Sequence, residues 1–234
     1  MKIKAIQKLT LIDYPDKLAC TLFLFGCNFR CGFCHNPELV LKEEREDLTQ
    51  KEILEFLEKR KNYLEGICIT GGEPLIEIDK EFLRKIKSLG YLIKIDTNGC
   101  YPDKLKELID EELVDFISMD IKASKEKYPF VTNTQVVNFE KIEDSIRLIS
   151  QLNDYEFRTT VVKGIHDAQE LKKIATWLNK VTGKKPKKFC LQGFKNKGKL
   201  IENVYKMKKD VDEDYLNNLK EEIKDFFVEV EVRF

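Results

Sequence analysis

Residues 19–36 read ACTLFLFGCNFRCGFCHN and join a short apolar run to a loop that holds three cysteines. Residues 19–25 are continuously apolar apart from Thr21, which predicts a strand buried on both faces, as in a parallel sheet covered by helices. The cysteines follow directly after this strand. In α/β folds the chemistry lies at the carboxyl ends of the strands, so the loop is the first candidate for a functional site.

Six further short runs rich in apolar and β-branched residues alternate with amphipathic, charged stretches, which is the pattern of βα units. The predicted strands cover residues 19–25, 66–70, 91–96, 114–121, 156–162, 188–192 and 227–234. The predicted helices cover residues 49–60, 79–89, 102–110, 139–152, 167–180 and 212–226. About six units predict an α/β fold of the partial (β/α)6 barrel type, with a parallel sheet and outer helices. No linker-like segment interrupts the pattern, so we expect one domain over residues 1–234.

Composition narrows the functional class. The 234 residues are 42% hydrophobic and 35% charged, with no net charge. The longest apolar run holds about ten residues, against the roughly twenty that span a bilayer, and the amino terminus lacks the apolar core of a signal peptide. We therefore expect a cytoplasmic protein without a membrane partner. Residues 184–209 contain ten lysines, but no arginine and few aromatics, so we expect a solvated face or a docking surface for an acidic partner rather than a nucleic-acid site.

Three of the seven cysteines, Cys27, Cys31 and Cys34, lie within eight residues. In a reducing compartment such a cluster indicates metal binding or catalysis rather than disulfides. Zinc would need a fourth ligand, and His35 directly beside Cys34 is poorly placed to supply it. A redox pair or a structural loop fits the spacing less well. Three cysteines on an iron–sulfur cluster would leave one iron open to a small molecule.

Three further motifs lie at the ends of predicted strands: GGEP at residues 71–74 directly after one, and DTNG at 96–99 and MDIK at 119–122 at the ends of the next two. The glycines of GGEP let the backbone approach a ligand closely. Asp120 and Lys122 are two residues apart and share one strand face; the alternative to a binding role for this pair is a buried salt bridge. Because all four motifs follow strands of one predicted sheet, we expect them to converge on one rim.

In combination, the C-x-x-x-C-x-x-C loop, with Phe33 before its last cysteine, and GGEP resemble the radical S-adenosylmethionine enzymes. Within that superfamily, residues 10–40, TLIDYPDKLACTLFLFGCNFRCGFCHNPELV, most resemble the activating proteins of anaerobic ribonucleoside-triphosphate reductase and, more loosely, the pyruvate formate-lyase activating enzymes. Asp16 departs from the family, which usually has Gly after the Pro. Gln192 and Phe194 stand where the lyase activators place a His, which favours the reductase-activating type.

The resemblance implies a [4Fe–4S] cluster on Cys27, Cys31 and Cys34, with S-adenosylmethionine on the fourth iron. An electron passed to the sulfonium would give methionine and a 5′-deoxyadenosyl radical. Glu73 would accept a hydrogen bond from the methionine amino group, and Asp96 and Thr97 would help to hold a monovalent cation. The residues that the resemblance places at the cofactor are Phe33, Gly71, Gly72, Glu73, Asp96, Thr97, Asn98, Asp120, Lys122 and Arg158.

Residues outside these motifs receive ordinary structural roles. The remaining cysteines lie singly on predicted strands or strand ends and read as small buried hydrophobes, so no second cluster is expected; they are Cys20, Cys68, Cys100 and Cys190. His166 is expected in a turn and Trp177 in the core.

The function that the resemblance implies is an oxidoreductase that generates a glycyl radical on anaerobic ribonucleotide reductase, with a flavodoxin- or ferredoxin-type electron donor. Activation of a pyruvate formate-lyase type enzyme, or radical chemistry on a small molecule as in carboxy-deazaguanine synthases, remains an alternative. An iron–sulfur electron carrier is the non-enzymatic alternative. It would leave GGEP and MDIK without a role, and such a carrier normally has a fourth cysteine.

Overall fold

The computed structural model describes residues 1–41 and 46–234. Within these ranges the chain forms eight strands: β1 (Ile3–Thr10), β2 (Ala19–Leu24), β3 (Gly66–Gly71), β4 (Leu92–Thr97), β5 (Phe116–Asp120), β6 (Tyr155–Val161), β7 (Lys188–Gly193) and β8 (Glu229–Arg233). The α-helices of the same ranges are α1 (Gln50–Arg60), α2 (Lys80–Ser88), α3 (Pro102–Asp110), α4 (Tyr128–Thr132), α5 (Phe139–Ile149), α6 (Ala168–Thr182) and α7 (Glu213–Ile223). Short 3-10 turns add to these, at Pro37–Leu39, Pro74–Ile76, Asn203–Met207 and Lys224–Phe226.

All seven predicted strands and all six predicted helices are confirmed, with ends that shift by a few residues. From β2 to α7 the chain therefore contains six βα units, and β8 follows them. The sequence reading missed β1, in which Gln7 and Lys8 interrupt the apolar pattern at exposed positions. It also missed α4, because five residues are too few to show helical periodicity.

The strands follow chain order, β1 to β8, in the sheet. The pairs β2–β3, β3–β4, β6–β7 and β7–β8 are parallel, as predicted, whereas β1 runs antiparallel to β2. Register in β3 and β4 places Ile67 beside Ile93 and Cys68 beside Lys94. Alternate residues of a strand point to opposite faces. One face of this strand pair is therefore built from isoleucines and the other carries polar side chains.

Local signals in the sequence explain where the helices begin and end. Thr49 forms a capping box with Glu52, in which each side chain accepts from the other residue's backbone amide. Asp79 accepts from the amides of Glu81 and Phe82 at the start of α2. This helix ends just before Gly90, whose φ of +90° favours glycine.

The chain divides into two compact units. The first contains Met1–Asn28, Asn36–Thr97 and Asp103–Ile117, and the second contains Phe29–His35, Asn98–Pro102 and Ser118–Phe234. A single domain over residues 1–234 remains a prediction. Among the described residues, none of the helices has the length and apolar content needed to cross a bilayer.

Candidate functional site

In the first unit, the glycines of GGEP lie against the backbone that leads into the cysteine loop. A Cβ on Gly72 would come within 2.0 Å of the Gly26 carbonyl oxygen and 3.3 Å of the Cys27 Cβ. The Glu73 amide donates to that same Gly26 oxygen at 2.7 Å. Gly71 adopts a φ of +120°, and a Cβ there would meet the Leu24 backbone at 2.4 Å. The close approach explains both glycines and joins GGEP to the first cysteine.

The Glu73 carboxylate is buried, with 1% of the residue exposed. Its Oε1 accepts from the Leu75 amide at 3.1 Å, which caps the turn that follows, and from the Thr97 hydroxyl at 2.8 Å. The hydrogen bond to Thr97 connects the ends of β3 and β4. Two of the predicted site residues are thereby brought together in this unit.

Asp96 lies at the end of β4 within a polar cluster that the sequence reading did not predict. Its carboxylate contacts the Lys94 ammonium, which is 1% exposed, and accepts from the Thr70 hydroxyl at 3.3 Å. The Cys68 sulfur lies 3.8 Å from the carboxylate and 3.7 Å from the ammonium. Cys68 was expected to be a small buried hydrophobe, and it is buried, but its neighbours are charged.

In the second unit, Cys31 and Cys34 form a tight turn in which the Cys34 amide donates to the Cys31 carbonyl at 3.0 Å. Cys31 is buried, and this burial raises the pKa of its thiol to about 11, although the positive charge of Lys122 opposes the shift. Metal binding at Cys31 must therefore displace a proton. Cys27 belongs to the first unit and is half-buried, as is Cys34.

Asp120, Lys122 and Arg158 form a charged triad in the second unit. The Asp120 carboxylate accepts from the Lys122 ammonium at 2.7 Å and from the Arg158 Nε at 2.8 Å. Burial would raise the pKa of Asp120, but the two cations hold it well below its usual range. Burial would lower the pKa of Lys122, but the charge and hydrogen bond of Asp120, together with Cys31, raise it above its usual range. All three groups stay ionised near neutral pH, which leaves the triad with one net positive charge.

His166 forms a hydrogen bond with the last residue of the MDIK segment, Lys122. It lies in a turn after β6, as expected, and is fully buried. Its Nδ1 accepts from the Val162 amide at 3.1 Å, so the proton of the neutral ring sits on Nε2 and is donated to the Lys122 carbonyl at 2.9 Å. Sequence reading placed His166 in a turn but did not find this contact.

Phe33 is buried in the cysteine loop, with its ring edge against Tyr205 at a centroid distance of 5.7 Å. The preceding Gly32 touches the same 3-10 turn: a Cβ there would lie 2.4 Å from the Tyr205 ring. The Gly32 carbonyl also accepts from the Glu202 amide at 2.9 Å. Asn98 is buried and caps its own turn by accepting from the Cys100 amide at 3.0 Å.

The donor set suits an iron–sulfur cluster: three thiols within eight residues, and thiolate sulfur is the ligand that such clusters take. Gly72 leaves no room for a side chain beside Cys27, because a Cβ there would meet the Gly26 carbonyl. Within residues 1–41 and 46–234, no ready-made group of three His, Cys, Asp or Glu side chains forms a metal site. Which residues hold a cluster therefore remains a prediction from the sequence.

The sequence pattern of the radical SAM superfamily matches residues 21–178. The chain, with its parallel α/β sheet and its cysteine loop after β2, therefore belongs to this superfamily, whose members use a [4Fe–4S] cluster and S-adenosylmethionine. Among its relatives is a Methanocaldococcus jannaschii protein assigned by its name to the glycyl-radical enzyme activating enzymes. It is 35% identical over 182 residues, covering 74% of this chain and 73% of its own. Within the superfamily the chain is thus a member of the glycyl-radical enzyme activating enzymes.

Pyruvate formate-lyase-activating enzymes are also similar. The Clostridium pasteurianum enzyme is 25% identical over 189 residues, with 77% of each chain covered. The Staphylococcus epidermidis enzyme is 28% identical over 194 residues, with 76% of this chain and 75% of that enzyme covered. The names of these relatives do not specify anaerobic ribonucleotide reductase as a target, so that finer assignment is a proposal.

Solved structures share the fold. SuiB of Streptococcus suis, bound to its precursor peptide SuiA, matches with a TM-score of 0.69 at 16% identity and covers 92% of this chain. The chain spans about half, 48%, of that longer protein. QueE from Escherichia coli matches with a TM-score of 0.55 at 16% identity, covering 82% of this chain and 83% of its own. The likeness confirms the predicted α/β class and supports the partial barrel.

Proposed function

We propose that this chain activates anaerobic ribonucleoside-triphosphate reductase by removing a hydrogen atom from a glycine Cα of that enzyme. One observation carries the proposal: GGEP lies in van der Waals and hydrogen-bond contact with the backbone beside Cys27. The contact links a motif suited to an amino-acid ligand to the first cysteine of the loop. Membership of the activating-enzyme family makes a protein glycine the preferred substrate class.

Cys27, Cys31 and Cys34 would hold the cluster, and GGEP would hold the amino end of S-adenosylmethionine. When bound, the two cofactors supply one-electron reduction and the removal of a hydrogen atom. Gly71 and Gly72 present backbone atoms without side chains, so a ligand can approach the main chain. The buried Glu73 carboxylate is held in place by Leu75 and Thr97 and would orient a ligand amino group.

The triad in the second unit would bind the anionic or ribose part of the cofactor. Its net positive charge is fixed, because the pKa of Asp120 is lowered and that of Lys122 is raised. Arg158 adds a planar group with several donors, which suits a carboxylate or a pair of hydroxyls. His166 holds the Lys122 backbone, so this cationic end stays oriented.

The choice of the reductase over a lyase rests on β7. Gln192 is exposed and Phe194 is fully buried, with its ring 5.4 Å from that of His35. The resemblance to the pyruvate formate-lyase activators implies a His at this place in the chain, where Gln192 and Phe194 stand instead. The apolar ring of Phe194 fills the position directly after β7. The names of the relatives favour the second candidate, a pyruvate formate-lyase type target.

The test uses anaerobically reconstituted protein, S-adenosylmethionine, a reductant such as dithionite, and a separately purified target. We expect a doublet radical signal by electron paramagnetic resonance on the reductase, one equivalent of 5′-deoxyadenosine per radical, and little signal on a pyruvate formate-lyase. A signal on the lyase alone would transfer the assignment to the second candidate. Cofactor cleavage without a radical on either protein would contradict activase function and favour a small-molecule substrate.

A further inference from the structure

A buried lysine lies beside Asp96, a residue for which the sequence predicted a role next to a monovalent cation. Lys94 is on β4, two residues before Asp96, so both side chains point to the same face of the strand. Register places Lys94 beside Cys68 of β3, and Thr70 follows Cys68 on that face. Four polar side chains therefore stand together on one face of two neighbouring strands in the first unit.

The contacts within this cluster neutralise the Asp96 carboxylate. The Lys94 ammonium touches it directly, and the Thr70 hydroxyl donates to it at 3.3 Å. The Lys94 side chain is 1% exposed and that of Asp96 is 14% exposed. The lysine thus lies beneath the carboxylate, which reaches toward the end of the strand. A buried ammonium is retained only when a counter-charge is close, and Asp96 supplies it.

A second cation at Asp96 would meet the Lys94 charge within a few ångströms, where screening by water is weak. The carboxylate already has its counter-ion, so an external ion would gain little attraction there. In the second unit, Asp120 is likewise paired with charged groups of the chain, Lys122 and Arg158. In both units the acid at the strand end has a cation from the chain as its partner.

We propose that Lys94 is a positioning residue that fixes Asp96 with a charge from within the protein, so that S-adenosylmethionine binding requires no potassium or sodium ion. The inference rests on the proposed function, since it concerns the same cofactor site. Asp96 is followed by Thr97, whose hydroxyl donates to Glu73, so the Lys94–Asp96 pair lies one residue from the GGEP contact. Orienting Asp96 therefore also orients the end of β4 that meets GGEP.

The test measures S-adenosylmethionine affinity by anaerobic equilibrium dialysis of the cluster-loaded protein. Potassium chloride, sodium chloride and tetramethylammonium chloride are compared at equal ionic strength. We expect the wild-type Kd to change less than about twofold between salts. Lys94→Met should weaken binding by about tenfold or more in tetramethylammonium, about 1.4 kcal/mol, and regain part of it with potassium. Lys94→Arg keeps the charge and should remain insensitive to the salt.

Lys85 is an exposed lysine on α2, so Lys85→Met is the control for replacing a lysine by methionine outside the cluster. Melting temperature provides a second measurement: potassium should stabilise Lys94→Met specifically and leave the wild type and Lys94→Met/Asp96→Asn unchanged. Wild-type binding that strengthens tenfold with potassium would overturn the inference alone, even if Lys94→Met fails to fold. A Lys94→Met variant that binds as the wild type does would also overturn it. No binding in any salt would overturn the proposed function and this inference with it.

Discussion

Glu73 shows how one residue serves both the fold and the site. Its carboxylate caps the turn after β3 and accepts from Thr97, and only 1% of the residue is exposed. Burying a carboxylate is costly unless several donors satisfy it. As a lone tetrapeptide, GGEP would suggest only a turn. For Glu73, forming the turn and binding a ligand are compatible roles, because the capping bond uses Oε1 and holds the carboxylate in a fixed orientation.

Replacing Glu73 with Gln should separate the two roles. The amide oxygen can still accept from Leu75 and Thr97, but the charge that would attract a ligand ammonium is lost. A hydrogen bond to a charged group contributes about 1.5–3 kcal/mol, so the S-adenosylmethionine Kd should rise by about one to two decades while iron content is retained. Isothermal titration calorimetry under anaerobic conditions measures the S-adenosylmethionine Kd. Glu77→Gln, at an exposed position in the same turn, is the control and should bind normally; equal affinity in both variants would reduce GGEP to a turn.

Gly72 makes the most demanding contact in the first unit, because a Cβ would sit 2.0 Å from the Gly26 oxygen. Backbone cannot move aside as a side chain can, so Gly72→Ala must displace the strand end or the loop that leads to Cys27. We expect a loss of roughly 1–3 kcal/mol in unfolding free energy, as in overpacked cores, and reduced iron content after reconstitution. Gly198→Ala has open space around its Cβ and strains only its own backbone, at a φ of +71°, so it should retain full iron even where its unfolding free energy falls. Chemical denaturation and iron analysis report the two effects, and normal iron in Gly72→Ala would contradict the role of this contact.

At the scale of secondary-structure elements, the sequence predicted the six βα units because each one carries its own local signals. The hydrophobic period is visible within each element, and the capping residues and the glycine after α2 lie within a few residues of the helix ends that they define. Contacts between distant segments had no such signal. Nothing near Gly32 indicates that Glu202 and Tyr205 cover it, since about 170 residues separate them.

Lys94 was missed for a different reason. Lys94 and Asp96 are two residues apart, as Asp120 and Lys122 are, with acid and base in the opposite order. Residues two apart in a strand share a face, so the argument used for Asp120 and Lys122 could have found this pair too. Residues 91–96 were predicted as a strand from their apolar and β-branched residues alone, without asking what a lysine within the strand would contact. A charged residue at the centre of a predicted buried strand is therefore a useful signal of a partner on the same face.

The turn after β6 makes stability depend on pH through His166. Burial lowers the pKa of this His, opposed by its bond to the Lys122 carbonyl and by Glu170, while Lys127 lowers it further and Asp167 raises it. The unfolded state then binds a proton first as the pH falls below the ordinary value of about 6.5, so unfolding free energy should fall between about pH 7 and pH 5.5. Loss of stability through Asp120, whose pKa is also lowered, begins only below about pH 4.

Urea denaturation of the cluster-free protein across that range measures the His166 effect. His166→Asn can still accept from the Val162 amide but cannot titrate, so it should lose the slope, at a cost of about 1–3 kcal/mol from the Lys122 contact. His35→Asn changes the other histidine of the chain, which is exposed, and should keep the wild-type slope. A wild type with flat stability over this range would refute the assignment of the neutral ring.

At the scale of the whole molecule, the structure divides the lysine-rich segment into two parts. Lys184 and Lys185 precede β7, whereas Lys197 and Lys199 follow it, between the carboxyl end of β7 and the turn that covers Gly32. All four are exposed. Lys188, within β7, pairs with Glu231 at 2.6 Å, so it is less available to a partner. The part that follows β7 contacts the second unit's portion of the cysteine loop, at Gly32 through Glu202 and at His35 through the Lys195 carbonyl.

This division gives a matched pair of charge reversals. If an acidic partner docks near the cysteine loop, Lys197→Glu/Lys199→Glu should slow glycyl-radical formation several-fold at low salt, and the difference from the wild type should shrink as salt shortens the screening length below about 8 Å. Lys184→Glu/Lys185→Glu makes the same change in net charge at the other end of β7 and should leave the rate near that of the wild type. Radical yield over time, followed by electron paramagnetic resonance with each candidate partner at several salt concentrations, gives the rates. Equal slowing by both double variants would show that net charge alone matters, and a rate independent of salt in all three proteins would exclude steering by this segment.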